Sequence, residues 1–403
     1  MPEVPTRPEI VSWNVTRRCN LSCPHCYLNA GLPAERELTT QEGLRLVDEM
    51  AAIGTRMLIL SGGEPLLRSD LFQIAARASG VGMSVVLGSN GTLLSLEVAR
   101  HLSAAGVKGV GISLDSLTPE RHDAFRGVAG AWKAALKGLD SCRQAGLPVL
   151  IQMSLFDWNY SEIDDMVRFA HDRGAAGFNL YFLVCSGRGE ALTDIGPDQY
   201  EEALETVVKA QARNPQIMVR VRCAPYVTRV AHQLGHPSSA GFGCMAGISY
   251  GRITPEGDLT PCPYLPLSVG NVGQQPLAHL WWDSSLLGDL RLGGLRGRCG
   301  HCQYGDSCRG CRARAWSDTG DLLQEDPWCR YDGQTAPSPL LGGVVWSSEA
   351  EERLKRVPFF LRNGIRAAVA AYAKRQGQAT ITVGLMEEVR AKMRPGGPTQ
   401  TVQ

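Results

Sequence analysis

No stretch of this sequence approaches the roughly 18 consecutive apolar residues that a helical membrane span needs, which excludes that class of membrane protein. The opening Met1-Pro2-Glu3-Val4-Pro5-Thr6-Arg7 lacks the apolar core of an export signal, so the expected location is the cytoplasm. An excess of charge is missing too: Lys and Arg number 41 against 40 Asp and Glu, a net +1. Such balance calls for neither nucleic acid nor an anionic membrane surface as a partner. What the chain does have is cysteine, 13 in 403 residues. In a reducing compartment such thiols are metal ligands or catalytic groups rather than a disulfide framework, and oxygen sensitivity is the expected consequence. The 44% hydrophobic content is ordinary for a globular protein, and the length suits two or three domains.

Three cysteines fall close together in Val15-Thr16-Arg17-Arg18-Cys19-Asn20-Leu21-Ser22-Cys23-Pro24-His25-Cys26-Tyr27, directly after an apolar run that reads as a strand. Thiolates so spaced can grip an iron–sulfur cube from one loop; three ligands on four irons leave one iron open. Zinc is the alternative, although structural zinc sites close with four ligands, usually from paired C-x-x-C hooks.

From residue 9 to about 215, short apolar runs alternate with amphipathic segments. The strand candidates are Glu9 to Val15, Arg56 to Leu60, Met83 to Gly88, Val107 to Leu114, Leu147 to Leu155 and Gly177 to Val184. The first helical pattern opens on a capping box of Thr39 and Glu42 and aligns Leu44, Val47 and Ala51 on one face. Six strand–helix units imply parallel pairing, because parallel neighbours need a crossover, and a curved α/β sheet that closes as a partial (β/α)6 barrel. Ligands of such folds sit at the carboxyl ends of the strands. There the sequence places Ser61-Gly62-Gly63-Glu64-Pro65, whose glycines allow close backbone approach and whose acid can accept from an ammonium group; a plain strand-ending turn would look alike. Ser89-Asn90-Gly91-Thr92 and Ser113-Leu114-Asp115-Ser116 end the next two strands, and Arg126 is a candidate carboxylate partner or a solvated helix-end arginine.

A second constellation lies further on: Cys244-x12-Gly257-x4-Cys262, then Cys299-x2-Cys302-x5-Cys308-x2-Cys311, and Cys329. Set among Gly, Pro and Arg with little apolar periodicity, it describes a segment held by metal rather than by a hydrophobic core, as auxiliary clusters or as a zinc ribbon. Cys142 lies in a helical pattern and reads as packing; Cys185, ending the sixth strand, reads as core or as a substrate-facing thiol.

The loop Cys19-x3-Cys23-x2-Cys26 resembles the defining motif of the radical S-adenosylmethionine (SAM) enzymes. That resemblance implies a [4Fe–4S] cluster on Cys19, Cys23 and Cys26, SAM chelated to the open iron, and one-electron cleavage to methionine and a 5′-deoxyadenosyl radical. It further implies SAM contacts at His25, where the family usually carries an aromatic residue near the adenine, at Gly62, Gly63 and Glu64 for the methionine amino group, at Asn90, Ser113 and Asp115, and at Arg126 for the carboxylate. The glycine-rich adenine contact of the fifth strand has no clear counterpart in Gln152-Met153-Ser154. The second constellation resembles the SPASM extension, which implies one auxiliary cluster on Cys299, Cys302, Cys308 and Cys329, and another on Cys244, Cys262 and Cys311. Cys223 is the candidate for that cluster's fourth ligand, or else an unligated thiol. Many peptide-modifying members have three residues between the cysteines corresponding to Cys308 and Cys311, where this chain has two.

Trp13 to Leu21, Leu183 to Gly189, Thr260 to Tyr264 and Cys311 to Ala315 resemble the branch that modifies haem precursors: the NirJ-type haem d1 biosynthesis proteins and the decarboxylases of iron-coproporphyrin or sirohaem side chains. That branch implies a tetrapyrrole substrate attacked at a propionate, and ferredoxin or flavodoxin as electron donor. Competing readings are a maturase of a ribosomal peptide or small protein, and a non-catalytic iron–sulfur carrier; the loops at Gly62 to Glu64 and Asn90 speak against the carrier, which needs no SAM pocket. The expected organisation is a barrel over 9–215, the SPASM-type segment over 216–332, a linker over 333–343 and a small helical module over 344–395. This last part resembles the small C-terminal module of the light-independent protochlorophyllide reductase B subunit. Its Arg362, Arg366, Lys374 and Arg375 are candidate partners for propionates, or an ordinary solvated basic face.

Overall fold

The computed structural model describes residues 7–31, 36–184, 186–192, 195–236, 243–332 and 345–355, then 365–366, 369, 372–373, 376, 378 and 380–392. Strands β1 (Ile10–Asn14), β2 (Met57–Ser61), β3 (Ser84–Ser89), β4 (Val107–Ser113), β5 (Val149–Leu155) and β6 (Gly177–Phe182) fall on the six apolar runs and pair in parallel in chain order. The crossovers are helices α1 (Thr40–Ala52), α2 (Leu71–Gly80), α3 (Leu96–Ala104), α4 (Pro119–Arg126), α5 (Ala131–Gln144) and α6 (Ile163–Asp172).

The strands alternate sharply. Val11, Trp13, Leu58, Leu60, Val85 and Leu87 are at most 2% exposed and belong to the core shared with the helices. Their neighbours Ser61, Gly88, Ser113, Gln152, Ser154 and Tyr181 face the interior of the curved sheet, where they line an open cleft. A period of two therefore separates a greasy outer face from a polar inner one. Helix α1 is capped as its sequence specifies, with Glu42 N–H donating to Thr39 Oγ1 and Thr39 N–H donating to the Glu42 carboxylate. Its buried stripe is Gly43, Leu46, Val47 and Met50, one position round from the expected Leu44, Val47 and Ala51. The reason is Trp13: a Cβ on residue 43 would lie 2.6 Å from its ring, so the indole packs where only glycine leaves room.

The sheet does not stop at six strands. After α7 (Pro197–Arg213), strand β7 (Met218–Arg222) adds in parallel to β6, and helix α8 (Val227–Gln233) follows. On the opposite edge β8 (Tyr250–Ile253) adds in parallel to β1, and β9 (Asp258–Thr260) and β10 (Gly270–Asn271) continue as antiparallel neighbours. The result is one ten-stranded sheet in the order β10-β9-β8-β1-β2-β3-β4-β5-β6-β7, into which the chain beyond 215 is woven at both edges. Short helices α9 (Leu277–Trp282), α10 (Ser285–Leu292), α11 (Gly297–His301), α12 (Gly305–Cys308) and α13 (Arg312–Thr319) follow, with Cys299 in α11 and Cys308 in α12 and the other cysteines of the second constellation in the connecting loops. The C-terminal module has its own core: Ala350, Leu354, Val369, Tyr372, Ala373 and Ile381 pack with residues of the helix Val383–Lys392. Among the described residues no helix is long and apolar enough to cross a membrane.

Candidate active site and metal centres

The loop that leaves β1 is laced to the loop that leaves β2. Gly63 N–H donates to Thr16 C=O (2.8 Å) and Glu64 N–H to Arg18 C=O (2.7 Å). A Cβ on Gly62 would lie 2.6 Å from Thr16 O, and one on Gly63 2.1 Å from Arg18 O. The paired glycines thus let one loop lie against the other, and the cleft runs over both. Cys19, Cys23 and Cys26 open onto that cleft, Cys23 the most buried at 8%. Each sulfur meets a donor: Leu21 N–H at Cys19 (3.4 Å), Ala30 N–H at Cys26 (3.3 Å) and the Arg126 guanidinium at Cys23 (3.7 Å). Burial, partly opposed by the Leu21 N–H, pushes the Cys19 thiol up to about 11. The three sulfurs thus face one cleft with a donor at each, and binding iron would relieve the cost of forming a thiolate at Cys19. This donor set fits a cysteine-ligated iron–sulfur group. Among the described residues no three His, Cys, Asp or Glu side chains close on a single-ion site.

Of the residues expected to meet SAM, His25, Gly62, Gly63, Asn90, Ser113 and Arg126 line this cleft, which holds about 1070 Å³ of empty space including its mouth. His25 stacks on Phe125 with ring centroids 4.5 Å apart and planes within 7°, and meets Phe156 edge-on. Burial, then Arg126, pushes its imidazole down to about 3. The ring is therefore neutral and sits in an aromatic stack, and its buried Nδ1 has no hydrogen-bond partner among the described residues.

Glu64 and Asp115 do not reach the cleft. The Glu64 carboxylate is 0% exposed and accepts from Ser89 Oγ (2.9 Å), Asn90 N–H (2.9 Å) and Leu66 N–H (3.2 Å). Through these contacts Glu64 buckles the second loop to the third. Burial, against these donors, pushes its carboxyl up to about 7. Asp115, also 0% exposed, receives Arg126 Nε at 2.6 Å and Ser154 N–H at 3.0 Å. Burial resists its charge, yet Arg126 and the imidazoles of His25 and His122 outweigh burial and hold the carboxyl below its usual range. Asp115 thus pairs with Arg126 and holds its orientation, and Arg126 is a buried, paired group rather than a solvated one.

The second constellation sorts into two groups. The Cys223 thiol interacts with those of Cys311 and Cys244, that of Cys262 with Cys244, Cys311 and Cys223, and that of Cys311 with Cys244. Separately, the Cys308 thiol interacts with Cys329 and Cys299, and that of Cys302 with Cys299. Cys223 is one of only three non-glycine residues with positive φ among those described, at +62°. A backbone twist that L-residues resist turns it toward the first group. Burial pushes up the thiols of Cys223, Cys262 and Cys311 in the first group and of Cys302, Cys308 and Cys329 in the second. All-thiol donors are the kind that hold iron–sulfur clusters, and among the described residues no three of them close on a metal site. Cys142 is 0% exposed within α5 and packs with the core, as read; Cys185 lies outside the described residues.

Two arrangements were not legible in advance. Arg188, in the Gly187-Arg188-Gly189 segment after β6, donates Nε (3.1 Å) and Nη2 (2.9 Å) to Cys23 C=O, and Nη1 to Ala30 C=O (2.7 Å). A Cβ on Gly187 would lie 2.7 Å from both Cys26 O and Tyr27 O, so the segment clasps the cysteine loop only because it is glycine. In the second arrangement Arg314 donates to Asp326 (3.1 Å), Tyr200 Oη (2.8 Å) and Cys223 C=O (3.2 Å), between the Tyr200 and Trp328 rings. Asp326 in turn accepts from Cys311 N–H at 2.7 Å. This buried pair fixes the backbone at two members of one thiol group. In the C-terminal module Arg366 is committed to Glu351 (2.7 Å) and lies over the Trp346 ring; Arg362, Lys374 and Arg375 lie outside the described residues.

A parallel barrel sheet bearing a three-cysteine loop on its first strand, with a cysteine-rich extension returning to the same mouth, defines a radical SAM enzyme of the SPASM type. The radical SAM superfamily pattern matches residues 13–170, the SPASM iron–sulfur cluster-binding domain 244–312, and the proto-chlorophyllide reductase 57 kD subunit 346–390. The chain is 38% identical over 339 residues to the AdoMet-dependent heme synthase of Methanosarcina barkeri (strain Fusaro / DSM 804), covering 80% of this chain and 97% of that one. It is 34% identical over 347 residues to the pre-heme d1 synthase of Dinoroseobacter shibae, covering 79% and 85%. Among solved structures, Streptococcus suis SuiB bound to precursor peptide SuiA shares the fold at a TM-score of 0.69 and 16% identity, over 81% of this chain and 76% of that one. The chain belongs to the radical SAM family, as a SPASM-bearing enzyme related to the AdoMet-dependent heme and pre-heme d1 synthases.

Proposed function

We propose that this enzyme modifies propionate side chains of a haem-type tetrapyrrole in the cytoplasm, with ferredoxin or flavodoxin as electron donor. The observation that carries the reading is near full-length similarity to an AdoMet-dependent heme synthase, 97% of which aligns with this chain. The match of residues 346–390 to a protochlorophyllide reductase subunit points to the same substrate class. When bound at Cys19, Cys23 and Cys26, the cluster with SAM supplies a one-electron cleavage that yields a carbon radical able to abstract hydrogen. The chain's own part is positional. Arg126, aimed by Asp115, presents a fixed cation to the SAM carboxylate, and the neutral His25 offers a flat face to the adenine. Asn90 and Ser113 line the space between, and Arg188 holds the cysteine loop against the barrel. Tyr27, Tyr181 and Tyr264 line the inner part of the cleft and restrict water there, which a reactive radical requires. Cys299, Cys302, Cys308 and Cys329 would hold one auxiliary cluster, and Cys223, Cys244, Cys262 and Cys311 the other, beside the cleft through Tyr264 and Cys262.

The test is anaerobic turnover of the reconstituted protein with SAM and reductant over a panel of porphyrins. A porphyrin-dependent rise in 5′-deoxyadenosine with a mass change at propionate supports the reading. Stimulation by a peptide and by none of the porphyrins overturns it.

A further inference from the structure

In the segment Cys311-Arg312-Ala313-Arg314-Ala315, Arg312 is 1% exposed and one of the largest fully buried side chains of the protein. Its guanidinium donates to the carbonyls of Gln324 (2.6 Å), Leu322 (2.9 Å) and Gly310 (3.4 Å), and its Nη2 lies 3.9 Å from Cys299 Sγ. That approach depends on Gly310, held at a φ of +60°. A Cβ there would lie 2.5 Å from Arg312 Nη2 and 3.1 Å from Cys299 Sγ, so a side chain would displace one or the other.

The other buried arginines of this region each have an acid. Arg314 pairs with Asp326 (3.1 Å) and Arg229 with Glu201 (2.6 Å). Asp326 is further committed to Cys311 N–H (2.7 Å) and Trp328 N–H (3.1 Å). Among the described residues Arg312 has no carboxylate within salt-bridge distance, and carbonyl oxygens orient a cation without cancelling its charge. Burial holds the thiols of Cys302, Cys308 and Cys329 above their ordinary values, so as free thiols they are neutral at neutral pH and offer no counter-charge. Bound to iron they are thiolates, and the group is anionic.

We propose that Arg312 is the counter-charge of the auxiliary cluster on Cys299, Cys302, Cys308 and Cys329, a positioning residue that acts through Cys299 and favours the reduced form. This rests on the auxiliary-cluster reading and extends it. One electron from the donor adds one negative charge to the group, and no bond to Arg312 forms or breaks. A fixed cation shut away from water stabilises the added charge and so raises the potential.

Redox titration of the full-length, cluster-loaded protein, followed by electron paramagnetic resonance, tests this; the signal lost in Cys302→Ala is that of the Cys299 group. Arg312→Gln should keep the wild-type iron content and make reduction of that group about tenfold less favourable, a midpoint about 59 mV more negative for a one-electron couple. Arg312→Lys, which keeps the charge, should recover most of the shift, with the other signals as in wild type. An unmoved midpoint in loaded Arg312→Gln, or equal shifts in Gln and Lys, overturns the counter-charge and leaves the cluster standing. Should Arg312→Gln lose about four irons per chain, their retention in Arg312→Lys supports the charge role, whereas loss in both makes Arg312 a scaffold only and overturns it. Wild-type protein whose iron content and spectra account for the SAM cluster alone removes the auxiliary-cluster reading itself.

Discussion

Glu64 and Arg188 each join a pair of loops, and they do so in opposite ways. Glu64 is an acid sealed from water and satisfied by neutral donors, so its folded form favours the proton. Between its ordinary value near 4.5 and about 7, the folded chain holds more protons there than the unfolded one, and this group's contribution to stability falls as pH rises. Glu64→Gln should therefore flatten the decline of the melting midpoint between pH 5 and pH 8, a difference that thermal scans at the two pH values will show. Arg188 is a cation whose three bonds all end on carbonyls of the cysteine loop, a geometry that lysine cannot copy. Arg188→Lys should slow SAM cleavage by about tenfold and alter the electron paramagnetic resonance signal of the reduced cluster, with the auxiliary signals unchanged. The sequence displayed both residues without their partners. Arg188 lies 165 positions from Cys23, and no local period connects them.

Among the elements, the six strands that the apolar runs announced are those whose outer faces are uniformly apolar. β7 and β8 escaped because Met-Val-Arg-Val-Arg and Tyr-Gly-Arg-Ile offer too few apolar residues to read as strands. Each inner face is basic, and pairing with β6 or β1 supplies what propensity does not. The same two strands bring the second constellation back to the barrel mouth, since Cys223 ends the turn after β7. If Cys223 is a ligand, Cys223→Ser should lower iron by about four per chain on anaerobic analysis. Cys142→Ala, a packing change inside α5, should leave the iron count as in wild type. Helices α11 and α12 span five and four residues, too short to stand alone, so chelation should expose the stretch around them to protease before the barrel is cut.

For the whole molecule, the fold joins two structural regimes in a single sheet. Aliphatic outer faces and helices hold one, thiol groups the other, and the Arg314–Asp326 pair ties them at Tyr200 and Cys223. The C-terminal module stands apart in its packing, because none of its core residues belongs to the main core. A chain ending at residue 343 should keep its iron content and substrate-free SAM cleavage within about twofold of the full protein, as assayed side by side.

The sequence by itself determined the cysteine spacing of the first loop, the parallel pairing of the six barrel strands and the presence of a cysteine-rich SPASM-type extension. Each of these is written in intervals short enough for one segment to specify. Only the tertiary structure decided that Glu64 ties the second loop to the third, that Asp115 pairs with Arg126, and that Arg188 grips the cysteine loop. Those outcomes depend on which buried charge finds which partner across the sheet, and burial is a property of the folded chain rather than of any stretch of it.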